Sequence, residues 1–153
     1  MDFVKDVMFV KVLESLHREN SGSKSNTWAE NRLKQADGLC RGKWALTILD
    51  TADIANIVLP AHRHGIELVP DSGLAVSAAA EVLRSLPSKQ SMLECWENIC
   101  SHRERDFVQS HIFLESVDGC LKHLDGLHRL LAWVLFERKG DVAAFVAGFP
   151  ASP

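Results

Sequence analysis

The last third of the chain changes its hydrophobic period several times in quick succession, and few folds accommodate that order. His111-Ile112-Phe113-Leu114-Glu115 is an apolar run suited to a strand, Val117-Asp118-Gly119 is a tight-turn sequence, and Cys120 to Leu124 alternates as a returning strand. Asp125-Gly126 breaks that strand. From Leu127 to Lys139 the positions Leu130, Leu131, Val134 and Leu135 form a helical stripe, Gly140 suits the residue just past a helix, and Asp141 to Ala147 reads as a final strand. Strand, turn, strand, loop, helix, strand is an α/β (α+β) order, and it predicts a small mixed sheet with flanking helices.

The preceding segments fit the same architecture. Trp44 to Leu49 is a first strand followed by cap chemistry at Asp50-Thr51, and Ala52 to Leu59 is an apolar run that period alone leaves open as helix or strand before Pro60 ends it. Ile66 to Val69 reads as a strand closed by the turn Pro70-Asp71-Ser72-Gly73. Ala75 to Leu86 and Gln90 to His102 read as amphipathic helices. At the N-terminus, Phe3 to Leu16 has apolar residues at helical spacing, Asn20 to Asn26 is a polar loop, and a second helix runs from Asn26 or Thr27 to about Leu39. With 153 residues the chain is expected to be one compact domain, with a helical part over 1–40 and an α/β core over 43–148.

Charge and hydropathy remove several functions. A formal net charge of -3 with no long run of Lys or Arg lacks the footprint of a duplex-DNA binder. The longest apolar stretch, Leu130 to Phe136, runs into Glu137-Arg138-Lys139 and falls far short of the roughly 20 residues a membrane span needs. Met1-Asp2-Phe3-Val4-Lys5-Asp6 is acidic where a secretory signal is basic, so a cytoplasmic location is expected. The four cysteines, Cys40, Cys95, Cys100 and Cys120, have no metal or redox spacing and are expected to be reduced and mostly buried, Cys120 included.

Chemistry concentrates in His123-Leu124-Asp125-Gly126-Leu127-His128-Arg129. A strand feeding a helix through Asp-Gly exposes backbone N–H groups at the positive end of the helix dipole, Gly126 permits close approach of a ligand, and His128 and Arg129 are side-chain donors for an anion. The alternative is a tight turn in which Asp125 caps the helix and His128 and Arg129 are solvated.

The run from Leu124 to Ala132, after a hairpin and before a helix and strand, resembles the signature of the ParB/sulfiredoxin-like superfamily. That resemblance implies a phosphate or nucleotide loop at Gly126, Leu127, His128 and Arg129, with Asp125 orienting the loop or activating a hydroxyl, and ATP or another nucleotide with Mg²⁺ as cofactor. Leu127 stands where sulfiredoxins carry a catalytic cysteine, so that chemistry is not expected, and neither is the DNA-partition role of proteins that carry a second arginine box and a helix-turn-helix downstream. The same segment, with Leu131-Ala132-Trp133, is also similar to small uncharacterised actinobacterial proteins encoded beside antibiotic biosynthesis genes.

The expected function is therefore a small-molecule enzyme, phosphotransferase-like, in which Asp125, His128, His123 and Glu115 are the candidate catalytic groups. Two rivals are a nucleotide-independent acid–base tailoring enzyme (isomerase, cyclase or dehydratase) and a non-catalytic nucleotide sensor that could act as a homodimer. His62 and His64, two apart in a basic loop, are candidate substrate contacts with no third metal ligand beside them. Asp118 and the group from Ser101 to Asp106 read as surface charge, and the tryptophans mostly as core.

Overall fold

The hairpin legible in the C-terminal sequence sits inside the main sheet of the protein. The computed structural model describes residues 1–19, 25–60, 62–64, 66–69, 73–86, 93–103 and 111–149. In chain order its elements are β1 (Asp2–Val7), α1 (Phe9–Glu19), α2 (Ser25–Leu39), β2 (Trp44–Leu49), α3 (Thr51–Asn56), β3 (Val58–Leu59), β4 (His62–His64), β5 (Ile66–Val69), β6 (Leu74–Ala75), α4 (Val76–Ser85), α5 (Leu93–Ser101), β7 (Ile112–Val117), β8 (Cys120–Asp125), α6 (Leu127–Leu135) and β9 (Val142–Ala147).

Seven strands form a mixed sheet in the order β1-β2-β9-β7-β8-β3-β6, and β4 and β5 pair separately. β7 runs parallel to β9 and β3 parallel to β8, while the remaining pairs are antiparallel. Successive residues of a strand face opposite sides, and here both sides are buried. Ile112, Leu114, Val142, Ala144 and Val146 pack with Ile54, Leu83, Ile99 and Leu131 of α3, α4, α5 and α6. Phe113, Phe145 and Trp44 pack on the other face with Val12 and Leu16 of α1 and Leu33 of α2. The result is a compact α+β domain with a helical layer on each face of its sheet.

The N-terminus departs from expectation. The segment read as one helix from Phe3 to Leu16 is strand β1 followed by helix α1, so the part over 1–40 is not wholly helical and contributes the edge strand of the main sheet. Antiparallel pairing with β2, from Asp2 opposite Ile48 to Val7 opposite Trp44, outweighs a helical pattern carried by few apolar residues. The Ala52 to Leu59 run resolves into both alternatives, helix α3 and then the short strand β3. Asp50 caps α3, its carboxylate accepting from the Asp53 amide at 2.8 Å while the Asp53 carboxylate accepts from the Asp50 amide at 3.0 Å. The turn expected over 70–72 lies outside the described residues.

Helix α6 stops at Leu135, short of Lys139. Glu137 takes the left-handed conformation at φ 48°, its amide donates to the Val134 carbonyl at 3.2 Å, and the Arg138 amide donates to the Trp133 carbonyl at 3.0 Å. Those bonds close the helix in the way a C-terminal glycine usually does, three residues before Gly140. Glu137→Gly is therefore expected to raise stability by about 0.5–1 kcal/mol, read as a higher urea midpoint at unchanged slope; a lower midpoint would contradict this account of the helix end.

The cysteines also differ from expectation: Cys95 is buried and Cys40 half-buried, but Cys100 and Cys120 are exposed. Burial, with the Glu115 and Asp37 carboxylates nearby, pushes the Cys40 thiol pKa up. No helix among the described residues is long and apolar enough to cross a membrane.

Candidate functional site

The sequence-identified segment forms the end of β8 and the first turn of α6, and two arginines clamp it. The β7–β8 register slips between Phe113 and Leu114, so Phe113 lies opposite Asp125, Leu114 opposite His123, and Leu124 is the extra residue of a bulge. From α2, Arg32 reaches this bulge and donates to the His123 carbonyl at 2.6 Å and the Leu124 carbonyl at 2.7 Å. The fork of a guanidinium suits two neighbouring carbonyls, and the Arg32 fork also lies over the Trp28 ring at 4.7 Å. Burial lowers its pKa, opposed by the negative charge of the Asp125 and Glu115 carboxylates.

Gly126 precedes α6 at φ 105°, and its carbonyl accepts the first helical bond from the Leu130 amide at 3.0 Å. No side chain caps this helix, so Asp125 does not act as its N-cap. Asp125 instead meets Arg129, four residues on, at 3.4 Å from Nη2. Arg129 Nη1 donates to the His111 carbonyl at 2.7 Å. A Cβ at position 126 would lie 3.3 Å from Arg129 Nη2 and 3.4 Å from Ile112 Cγ1, so glycine serves both the backbone angle and the close passage of this side chain.

Gly126, Leu127 and Arg129 are buried, whereas Asp125 and His128 are half-buried. The guanidinium assigned to phosphate is thus turned into the protein and holds the start of β7. His123 is buried on β8, on the same face as Leu114, and Glu115 is half-buried opposite Lys122. His62 and His64 belong to β4, and their side chains lie outside the described residues.

What Arg129 holds in place is His111, and His111 lines a cleft. Ser15 Oγ lies 2.7 Å from His111 Nδ1, across 96 residues of sequence. Ser15 is buried at 4% exposure between Val12 and Leu16 on the inner face of α1, a position the helical stripe would otherwise give to an apolar residue. The cleft, of about 510 Å³, is lined by Leu46 and Phe145 of the sheet, by Lys11, Glu14 and Arg18 of α1, and by Lys5, Asp6 and Val7 of β1. The Phe145 ring braces the His111 ring at 4.4 Å between centroids. Lys11 Nζ is 2.8 Å from the Glu14 carboxylate.

Sequence reading missed both cleft residues. In sequence His111 reads only as the start of a strand, and the one signal for Ser15 is a hydroxyl on an otherwise apolar stripe. Among the described residues no group of three His, Cys, Asp or Glu side chains is placed to hold a metal ion.

The open cleft, lined by His111 and Ser15 and by both cationic and acidic side chains, is the candidate site of this compact α+β domain. Over residues 1–153 the chain matches a family described as a family of unknown function (DUF6309), and it belongs to that family. No curated protein and no solved structure matches it.

Proposed function

We propose that the protein binds a small anionic metabolite in the β1–α1 cleft and moves a proton on it through His111. The observation that carries this reading is the 2.7 Å contact between the buried Ser15 hydroxyl and His111 Nδ1 inside a cleft edged by Lys5 and Arg18. A hydroxyl both donates and accepts, so Ser15 can hold the imidazole in either neutral tautomer. In this reading the imidazole, positioned by Ser15, exchanges a proton with the ligand, and the same ring can take a proton and return it. Isomerisation, cyclisation and dehydration need such a group. Lys11 is paired with Glu14 and Asp6 stands beside Lys5, which leaves Arg18 as the excess positive charge for a carboxylate or phosphate, while Leu46 and Phe145 accept its carbon frame.

In this reading the Asp125–Arg129 segment is a support that fixes His111 rather than the phosphate site itself. The likeness of Leu124 to Ala132 to the ParB/sulfiredoxin-like signature belongs to the alternative reading, in which that segment itself binds a phosphate-bearing ligand such as a nucleotide with Mg²⁺. Thermal-shift titrations with orthophosphate, citrate, and ATP, ADP or CTP with Mg²⁺ test the assignment. At least one anion is expected to stabilise the wild type, with about tenfold or greater loss of affinity in His111→Ala, consistent with loss of a hydrogen bond to a charged group. Stabilisation retained in His111→Ala, or no anion response at all, would sink the reading.

A further inference from the structure

β1 ends the seven-stranded sheet, and among the described residues no strand covers its outer edge. Exposed apolar side chains crowd around it. Of the seven large hydrophobic residues that stand exposed among the described residues, five fall within the first ten positions: Met1, Phe3, Val4, Met8 and Val10. Val4 is 47% exposed and Met8 69%. Such a cluster beside free backbone donors and acceptors is a template for strand addition.

Two of the three charged residues on the strand, Asp2 and Lys5, are self-complementary because of its irregularity. β1 shifts register between Phe3 and Lys5, so Asp2 lies opposite Ile48 and Lys5 opposite Leu46. Ile48 and Leu46 are two apart on β2 and share a face, which places Asp2 and Lys5 on the same face although they are three apart. In a regular strand that spacing would send them to opposite faces. Two copies of β1 paired antiparallel about a two-fold axis then set Asp2 of each against Lys5 of the other, with Phe3 against Val4 between them.

We propose that a second copy of this chain docks here by β1–β1 pairing, extending the sheet across a homodimer. Lys5 and Val7 also line the cleft, so the added strand runs along the cleft's β1 side. The pairing stands on the edge, the apolar cluster and the charge register, and holds whether or not His111 moves protons.

Sedimentation equilibrium of the full chain, with far-UV circular dichroism as the check on folding, tests this. The wild type is expected at twice the mass of one chain. Asp2→Lys and Lys5→Asp each place like charges in apposition twice per dimer and are expected to weaken association about tenfold or more. The double variant Asp2→Lys/Lys5→Asp restores the opposite-charge pairs and is expected to return the dimer. A wild type that sediments as a single chain would overturn the proposal. So would single variants that associate as tightly as the wild type, or a folded double variant that stays monomeric.

Discussion

Replacing Arg129 by alanine is expected to destabilise the protein by about 2–4 kcal/mol, far more than a solvent-facing phosphate ligand would. Its side chain is 8% exposed, and its loss leaves the His111 carbonyl without its 2.7 Å donor and the 21% exposed Asp125 carboxylate without its guanidinium. The range sits below that for a fully buried pair because Asp125 still reaches water. Arg129→Lys is not expected to recover the loss, since an ammonium cannot hold the carbonyl and the carboxylate in one planar fork. Urea unfolding of both variants, with Asp125→Asn and the double variant to complete a cycle, measures the coupling. An Arg129→Ala midpoint within error of the wild type would mean that the arginine does not hold the start of β7.

An equally large effect is expected at Phe113, on β7 two residues after His111. Phe113 is fully buried, and its ring lies 5.7 Å from that of Phe145, which in turn braces the His111 ring and forms the cleft floor. Phe113→Ala is expected to cost about 3–5 kcal/mol, through lost transfer energy and the cavity left behind. Against a total of about 5–15 kcal/mol for a domain, such a variant is marginal near physiological temperature. Phe113→Leu keeps most of the volume and is expected to cost distinctly less. Similar midpoints for the alanine and leucine variants would contradict the packing described for this face.

The parts of the fold legible in the sequence are those whose burial is two-sided and local. Trp44 to Leu49, the hairpin from Ile112 to Asp125 and helix α4 were readable because strong apolar patterns were bounded by Asp-Thr, Asp-Gly or Pro. β1 was not readable: Asp2, Lys5 and Asp6 give an edge strand the charge expected of a solvated helix face, and only pairing with β2 decides the matter. The bulge at Leu124 and the arginine that satisfies it are likewise products of tertiary contact.

For the Asp125–Arg129 segment, the sequence shows the residue types but not the direction in which their side chains point. Asp125 and Arg129 stand four apart, the spacing at which opposite charges meet along a helix, so an inward pair was available beside the anion cradle. The Ser15–His111 contact spans almost the whole chain, and no local pattern encodes a pair that only the layering of α1 on the sheet creates.

The central claim is that ligand chemistry resides in the cleft at His111 and that the Asp-Gly-Leu-His-Arg segment supports it from behind. The most direct measurement is a two-dimensional NMR titration of the isotopically labelled chain with the anion that stabilises it best. The account expects the largest shift changes at Ser15, His111 and neighbouring α1 amides, with small changes at Gly126 to Arg129. Dominant changes at Gly126, Leu127 and His128, with the Arg129 side-chain signals released from their folded positions, would contradict it and return the site to the helix N-terminus.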